Sequence, residues 1–199
     1  SKAAAVIDLG VADAPPASGE HHLVVLSHGY GGNWGKQVWL ASALAHQGYI
    51  VAAVNHPGTT TKDRSPQAAA QLWQRPADLS RAIDAVLAQP AQFGAVASKQ
   101  IAAVGHSLGG WTVLAIAGAR FDPDLFAREC STYPKLGGCI GYHEMNPAAT
   151  PTGKARLAAD LRDKRVTAIV SLDLGLSRGF TDASLAALPV PALVIAGGV

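Results

Sequence analysis

The chain has 199 residues, 49% of them hydrophobic, and 16 basic against 14 acidic residues leave a net charge of +2. That length and apolar content suit one domain with a sizeable core. No block of like charge and no aromatic-interleaved basic patch points to nucleic acid or an anionic membrane, and no apolar run reaches the ~18–20 residues that span a bilayer.

The first apolar run is LVVLSHG, residues 23–29, and four more follow: YIVAAVNH (49–56), IAAVGHS (101–107), TAIVSLDLG (167–175) and PALVIAGG (191–198). None alternates strictly, so each reads as a strand covered on both faces. Helical patterns lie between them. KQVWLASALAHQG (36–48) sets Leu40 and Leu44 on one face and stops at a glycine. RPADLSRAIDAVLAQP (75–90) spaces Leu79, Ile83, Val86 and Leu87 at helical intervals, and LGGWTVLAIAGAR (108–120) is apolar nearly all round, as a buried helix would be. TGKARLAADLRDKR (152–165) predicts an exposed amphipathic helix and DASLAALP (182–189) a short one. Strand and helix in alternation predict a mostly parallel sheet with helices on both faces.

Residues 121–151 break the rhythm, with several glycines and prolines and no clear period, and are expected to form an insertion over the top of the sheet. Both cysteines, Cys130 and Cys139, lie there. They suit a disulfide closing a short loop, which favours an oxidising compartment and so a secreted or periplasmic protein; two buried free thiols are the alternative. Nothing nearby completes a four-ligand zinc set, and no metal or organic cofactor is expected.

Gly105-His106-Ser107-Leu108-Gly109 is G-x-S-x-G between a predicted strand and a predicted buried helix, the setting of a nucleophile elbow. The tight turn would strain Ser107 and hold its hydroxyl clear, with the glycines giving clearance to the neighbouring elements. Leu108 opens the helix, so its backbone N–H lacks an intrahelical partner and is free to stabilise an oxyanion. SHGYGGNW (27–34) follows the first strand directly, and the backbone N–H of Tyr30 is the natural second donor. The lysine and Ser/Thr of a phosphate-binding loop are absent from it.

With SHGYGG and GHSLGG both in place, the chain resembles the α/β-hydrolase superfamily. VVLSHGYGG, VAAVNHPGTTT, RPADLSRAIDAVL and AAVGHSLGGWT are similar to bacterial proteins labelled predicted dienelactone hydrolases, which group with platelet-activating-factor acetylhydrolase-like esterases and lipases. The resemblance runs from about residue 23 to 199. It implies hydrolysis of small-molecule, lipid or polyester esters through an acyl-enzyme, with Ser107 attacking and the Tyr30 and Leu108 amides holding the oxyanion. Dienelactone hydrolases proper use a cysteine nucleophile, so the label does not fix the substrate. The acetylhydrolase-like branch places its acid at the tip of the strand that ends here in Asp173; other members carry it after the next strand.

Triad order in this fold is nucleophile, acid, histidine. After Ser107 the only histidine is His143, before the last two predicted strands. The base is therefore expected beyond Val199, and residues 1–199 as one α/β-hydrolase domain that is incomplete at both ends, completed by further chain or a complementary C-terminal polypeptide. A non-catalytic subunit or binding module that keeps the hydrolase architecture is the alternative. Of the other histidines, His28 is expected to brace the oxyanion loop and His106 to support the turn. His56 ends a strand on the active-site edge, where it would line the substrate pocket or serve a structural hydrogen bond. Trp34, beside the oxyanion loop, is a candidate pocket wall. Trp111, one turn into the nucleophile helix, is expected in the core.

Overall fold

The structure, a computed structural model, describes residues 12–197. It holds strands β1 (Glu20–Ser27), β2 (Ile50–Ala53), β3 (Ala95–His106), β4 (Val166–Leu172) and β5 (Ala192–Ile195). Helices are α1 (Val38–His46), α2 (Pro66–Ala69), α3 (Gln74–Ala88), α4 (Pro90–Phe93), α5 (Leu108–Ala117), α6 (Pro123–Thr132), α7 (Gly137–Met145), α8 (Pro151–Leu157) and α9 (Asp182–Ala186). The strands form one parallel sheet in the order β2-β1-β3-β4-β5. All five strands expected from the apolar runs are present, and they form the parallel sheet packed with helices that the alternation of strand and helix predicts.

The chain leaves β1 for β2 on one side, then returns through α3 to place β3 on the other side of β1. The β1/β3 boundary is thus the switch point of the sheet, where a crevice opens at the carboxyl ends of the strands. Ser27 ends β1 and Ser107 follows β3 directly at that boundary.

Alternation along the strands sorts side chains between two faces. Leu23 and Val25 of β1, Ile101 and Ala103 of β3 and Ile169 of β4 join the main core, which takes Leu79 and Ile83 from α3 and Trp111, Val113 and Ile116 from α5. Val24, Leu26 and Val104 point the other way, onto Leu40, Ala41 and Leu44 of α1. Every residue of α5 is buried, as its uniform apolarity requires.

Residues 121–151 are more regular than the sequence suggested. They fold as α6 and α7, joined by the Cys130–Cys139 disulfide. The start of α6 is written in capping chemistry rather than in periodicity. Asp122 precedes Pro123 and accepts hydrogen bonds from the amides of Asp124 (2.8 Å) and Leu125 (3.0 Å). Thr150 precedes Pro151 and accepts from Gly153 (3.0 Å), and Ser65 precedes Pro66 in the same way. Trp111 stands at the centre of an aromatic cluster that binds this region to α5. Phe121 and Phe180 pack on it, and Phe126 and Tyr142 extend the cluster.

The helix expected over 152–165 stops at Leu157. Beyond it the aspartates favour turns over helix: Asp160 accepts from the Arg162 amide (3.1 Å) and Asp163 from that of Arg165 (3.0 Å). The amide of Asp163 itself bonds the Ile116 carbonyl at the end of α5.

Candidate active site

Ser107 joins β3 to α5 with φ 54° and ψ −116°. A non-glycine residue in this region is strained and persists only where its surroundings hold it. They do so here. The Ser107 amide bonds the Leu172 carbonyl (2.9 Å), and the Ser107 carbonyl accepts from the amides of Gly110 (2.8 Å) and Gly175 (3.0 Å). A Cβ on Gly105 would stand 2.0 Å from the Gly109 carbonyl oxygen, and one on Gly109 would stand 1.9 Å from that of Ser27. Any side chain at either position would push the nucleophile helix off the sheet. Ser107 is half-buried, and among the described residues its Oγ has no hydrogen-bond partner.

The loop after β1 abuts this turn: a Cβ on Gly29 would lie 3.2 Å from that of Ser107. Among the described residues the amides of Tyr30 and Leu108 meet no protein acceptor. Both stay available to a substrate oxygen. The Tyr30 side chain turns away to the guanidinium of Arg64, 5.4 Å from its ring centroid, and to Glu144 of α7. Burial and the Glu144 charge raise the Tyr30 phenol above its usual range, and Arg64 opposes them. A cleft of about 500 Å³ opens between the loop and α1, lined by Tyr30, Gln37, Trp39, Leu40, Ser107 and Leu172 among others.

Asp173 follows β4 at the same end of the sheet, in a left-handed turn with φ 52°. Its amide bonds Ile195 (2.6 Å), and among the described residues its exposed carboxylate reaches no nearer donor than the Gly197 amide, 3.4 Å away. His143 is exposed on α7, and the exposed ring of His106 stands beside Gly29. No imidazole among the described residues hydrogen-bonds Ser107. Gly198, the end of the predicted run 191–198, and Val199 lie outside the described residues.

Two of the expected pocket residues are elsewhere. Trp34 sits on a 3-10 turn with half of its surface exposed, its amide bonded to Asn55, and Trp39 and Leu40 take its place in the cleft wall. His56 is fully buried beneath the oxyanion loop and cannot touch substrate from there. Its Nδ1–H donates to Asp78 of α3 (2.7 Å), and its Nε2 accepts from the hydroxyl of Ser27 (2.9 Å). Its amide donates to Nε2 of His28 (3.1 Å), whose Nδ1–H bonds the Gly29 carbonyl (2.7 Å).

At the centre of this buried group lies Arg75 of α3, only 2% exposed. Its Nε donates to Thr112 (2.9 Å), its Nη1 to Thr59 (2.6 Å), and its Nη2 to the hydroxyl of Ser27 (3.3 Å) and the carbonyl of His28. Burial pushes Arg75 down to about 9, which leaves it charged at neutral pH. Burial and the adjacent Arg75 cation lower His28 to about 4 and hold His56 well below its ordinary value, so both rings are neutral. Burial raises Asp78, and the Arg81 and Arg75 cations pull it back.

Sequence reasoning missed this network. The helical spacing over residues 75–90 singles out neither Arg75 nor Asp78. Two signs were present: an arginine at the proline-marked start of that helix, and a histidine ending a strand.

The profile of a family described as serine aminopeptidase, S33, matches residues 19–127, a span that carries both the loop after β1 and the turn at Ser107. No curated protein sequence matches the chain. Among solved structures, a ferulic acid esterase from Streptomyces cinnamoneus is similar in fold, with 24% identity and a TM-score of 0.56. The match covers 91% of this chain and 44% of that one, so the chain spans less than half the length of that enzyme. With a parallel sheet, a strained serine at its switch point and a profile match over more than half its length, the chain belongs to the serine aminopeptidase S33 family of α/β-hydrolases.

Proposed function

We propose that the protein is a serine hydrolase that cleaves carboxylic esters through an acyl-enzyme. The observation that carries this is Ser107 itself, a strained and accessible hydroxyl between two unpartnered amides. Ser107 Oγ attacks the ester carbonyl while an imidazole takes its proton. The carbonyl oxygen becomes an oxyanion held by the Tyr30 and Leu108 N–H groups. Collapse of the tetrahedral intermediate breaks the bond to the alkoxide, which leaves with the imidazole's proton. Water then attacks the acyl-enzyme with the same base and frees the acid. Asp173, at the tip of β4, is assigned to orient the imidazole. The base is assigned to a histidine outside residues 12–197, from further chain or a complementary polypeptide. The disulfide between Cys130 and Cys139 supports an exported protein, secreted or periplasmic.

The test is labelling with a fluorophosphonate probe, located by peptide mass, beside turnover of p-nitrophenyl esters and of an aminoacyl p-nitroanilide. Adduct at Ser107 and ester turnover are expected. Faster turnover of the anilide moves the substrate class to amides, as the family's description has it. One observation favours the second reading, a non-catalytic module: no imidazole bonds Ser107 among the described residues. Absence of any adduct, with the complementary segment supplied, decides for it.

A further inference from the structure

The hydrolase reading needs two amides held at a fixed separation, one on a loop and one on a helix. A glycine-rich loop does not hold such a position by itself. The hydrogen bonds around Arg75 converge on both halves. On the loop side, Nη2 bonds the carbonyl of His28, two residues before Tyr30. Nη1 holds the Thr59 hydroxyl, and the Thr59 carbonyl accepts the Gly31 amide (2.9 Å), one residue after Tyr30. The Tyr30 amide is thus bracketed on both sides by groups that Arg75 fixes. On the helix side, Nε holds the Thr112 hydroxyl, which donates to the carbonyl of Leu108 (3.0 Å), the residue that carries the other amide.

We propose that Arg75 is a positioning residue whose planar fork, through Thr59 and Thr112, sets the separation of the two oxyanion donors. The inference rests on the serine-hydrolase reading. Two further facts support it. The four acceptors around the guanidinium are all neutral, and the Asp78 carboxylate is taken up by His56 and Arg81. A buried cation without a carboxylate of its own is expensive, and an apolar side chain of similar size would stabilise the core more cheaply. The guanidinium also offers what packing alone does not, several donors in one rigid plane. Its charge, beside two neutral imidazoles, lies behind the loop in a low-dielectric region and favours negative charge developing in front of it.

Thr112 allows a mild test. Thr112→Val keeps the shape and removes the link from Arg75 to the Leu108 carbonyl, whereas Thr112→Ser keeps the link. The readouts are the rate constant for fluorophosphonate labelling, in which Ser107 Oγ bonds phosphorus and fluoride leaves, and kcat and KM for a p-nitrophenyl ester. Thr112→Val is expected to lower the labelling rate and kcat about tenfold with KM unchanged, and Thr112→Ser to recover most of the loss. Arg75→Lys, which loses the fork, is expected to lower both about 100-fold; should it fail to fold, the Thr112 pair decides. Labelling of Thr112→Val at the wild-type rate, or equal losses in the Val and Ser variants, overturns the inference and leaves the hydrolase reading standing. A wild type that, with the complementary segment supplied, neither labels nor turns over overturns that reading and the inference with it.

Discussion

Two serines at the switch point of the sheet invite comparison. Ser27 belongs to a complete hydrogen-bonded relay of serine, histidine and aspartate, with links of 2.9 and 2.7 Å. Ser107 has no imidazole among the described residues. Judged by residue types and distances, Ser27 is the better nucleophile. Judged by access and backbone, it is none: it ends a regular strand, is fully buried, and accepts a hydrogen bond from Arg75 on the oxygen that would have to attack. Ser107 has the strained turn, the partial exposure and the two open amides. A nucleophile is defined by where its oxygen can go, so under the proposed function the sealed relay is framework and the open serine is the candidate nucleophile.

The sharpest way to break that comparison is to remove each hydroxyl in turn. Ser107→Ala is expected to abolish fluorophosphonate adduct and to lower ester turnover about 10⁴-fold or more. Adduct on Ser27 in that variant would reverse the assignment. Next in size is Gly109→Ala, which forces a methyl group into the Ser27 carbonyl where the two regions touch. We expect a loss of about 3 kcal/mol or more in urea denaturation, since backbone rather than a flexible side chain must give way. A loss under about 1 kcal/mol would show that elbow and strand are not locked together.

Acid comes third, and it should strike the sealed region. His28 stays neutral in the folded protein down to about pH 4, whereas the unfolded chain takes up its proton near 6.5. Stability is therefore full above about pH 6.5 and declines as pH falls from there toward 4, by about 2 kcal/mol between pH 7 and 5 for His28 alone. His56 acts in the same direction. Urea midpoints at those two pH values measure it, and an unchanged midpoint would mean that the two rings are not held neutral. Smallest is Ser27→Ala, which strips a partner from His56 and from Arg75 and should cost about 1–2 kcal/mol, while Ser107 still takes up the probe.

The sequence already carried the frame of the reactive region. Continuous apolar runs mark buried parallel strands, and G-x-S-x-G between a strand and an apolar helix has few other readings. The framework around Ser27 was not legible, because its parts lie far apart. His56 is 29 positions from Ser27 and 22 from Asp78. Only the placing of β2 beside β1, with α3 packed across them, brings them together. For His56 the sequence leaves pocket lining and a structural hydrogen bond open, and the structure takes the second: the end of a strand tells which edge a residue occupies, not whether its ring turns toward the crevice or beneath it. The helices α6 and α7 escape a periodicity reading because they are short; α6 is announced by the Asp-Pro at its start, and α7 has no side-chain cap.

The outermost strand has a practical consequence. Leu193, Val194 and Ile195 of β5 are each at least half exposed, and the strand pairs with β4 along one side. Among the described residues β5 is the last strand of the sheet, and an apolar strand with open backbone groups invites pairing with another strand. Concentrated solutions of this polypeptide on its own should therefore scatter light and lose protein on standing. A charge at the middle position, Val194→Lys, should keep them clear.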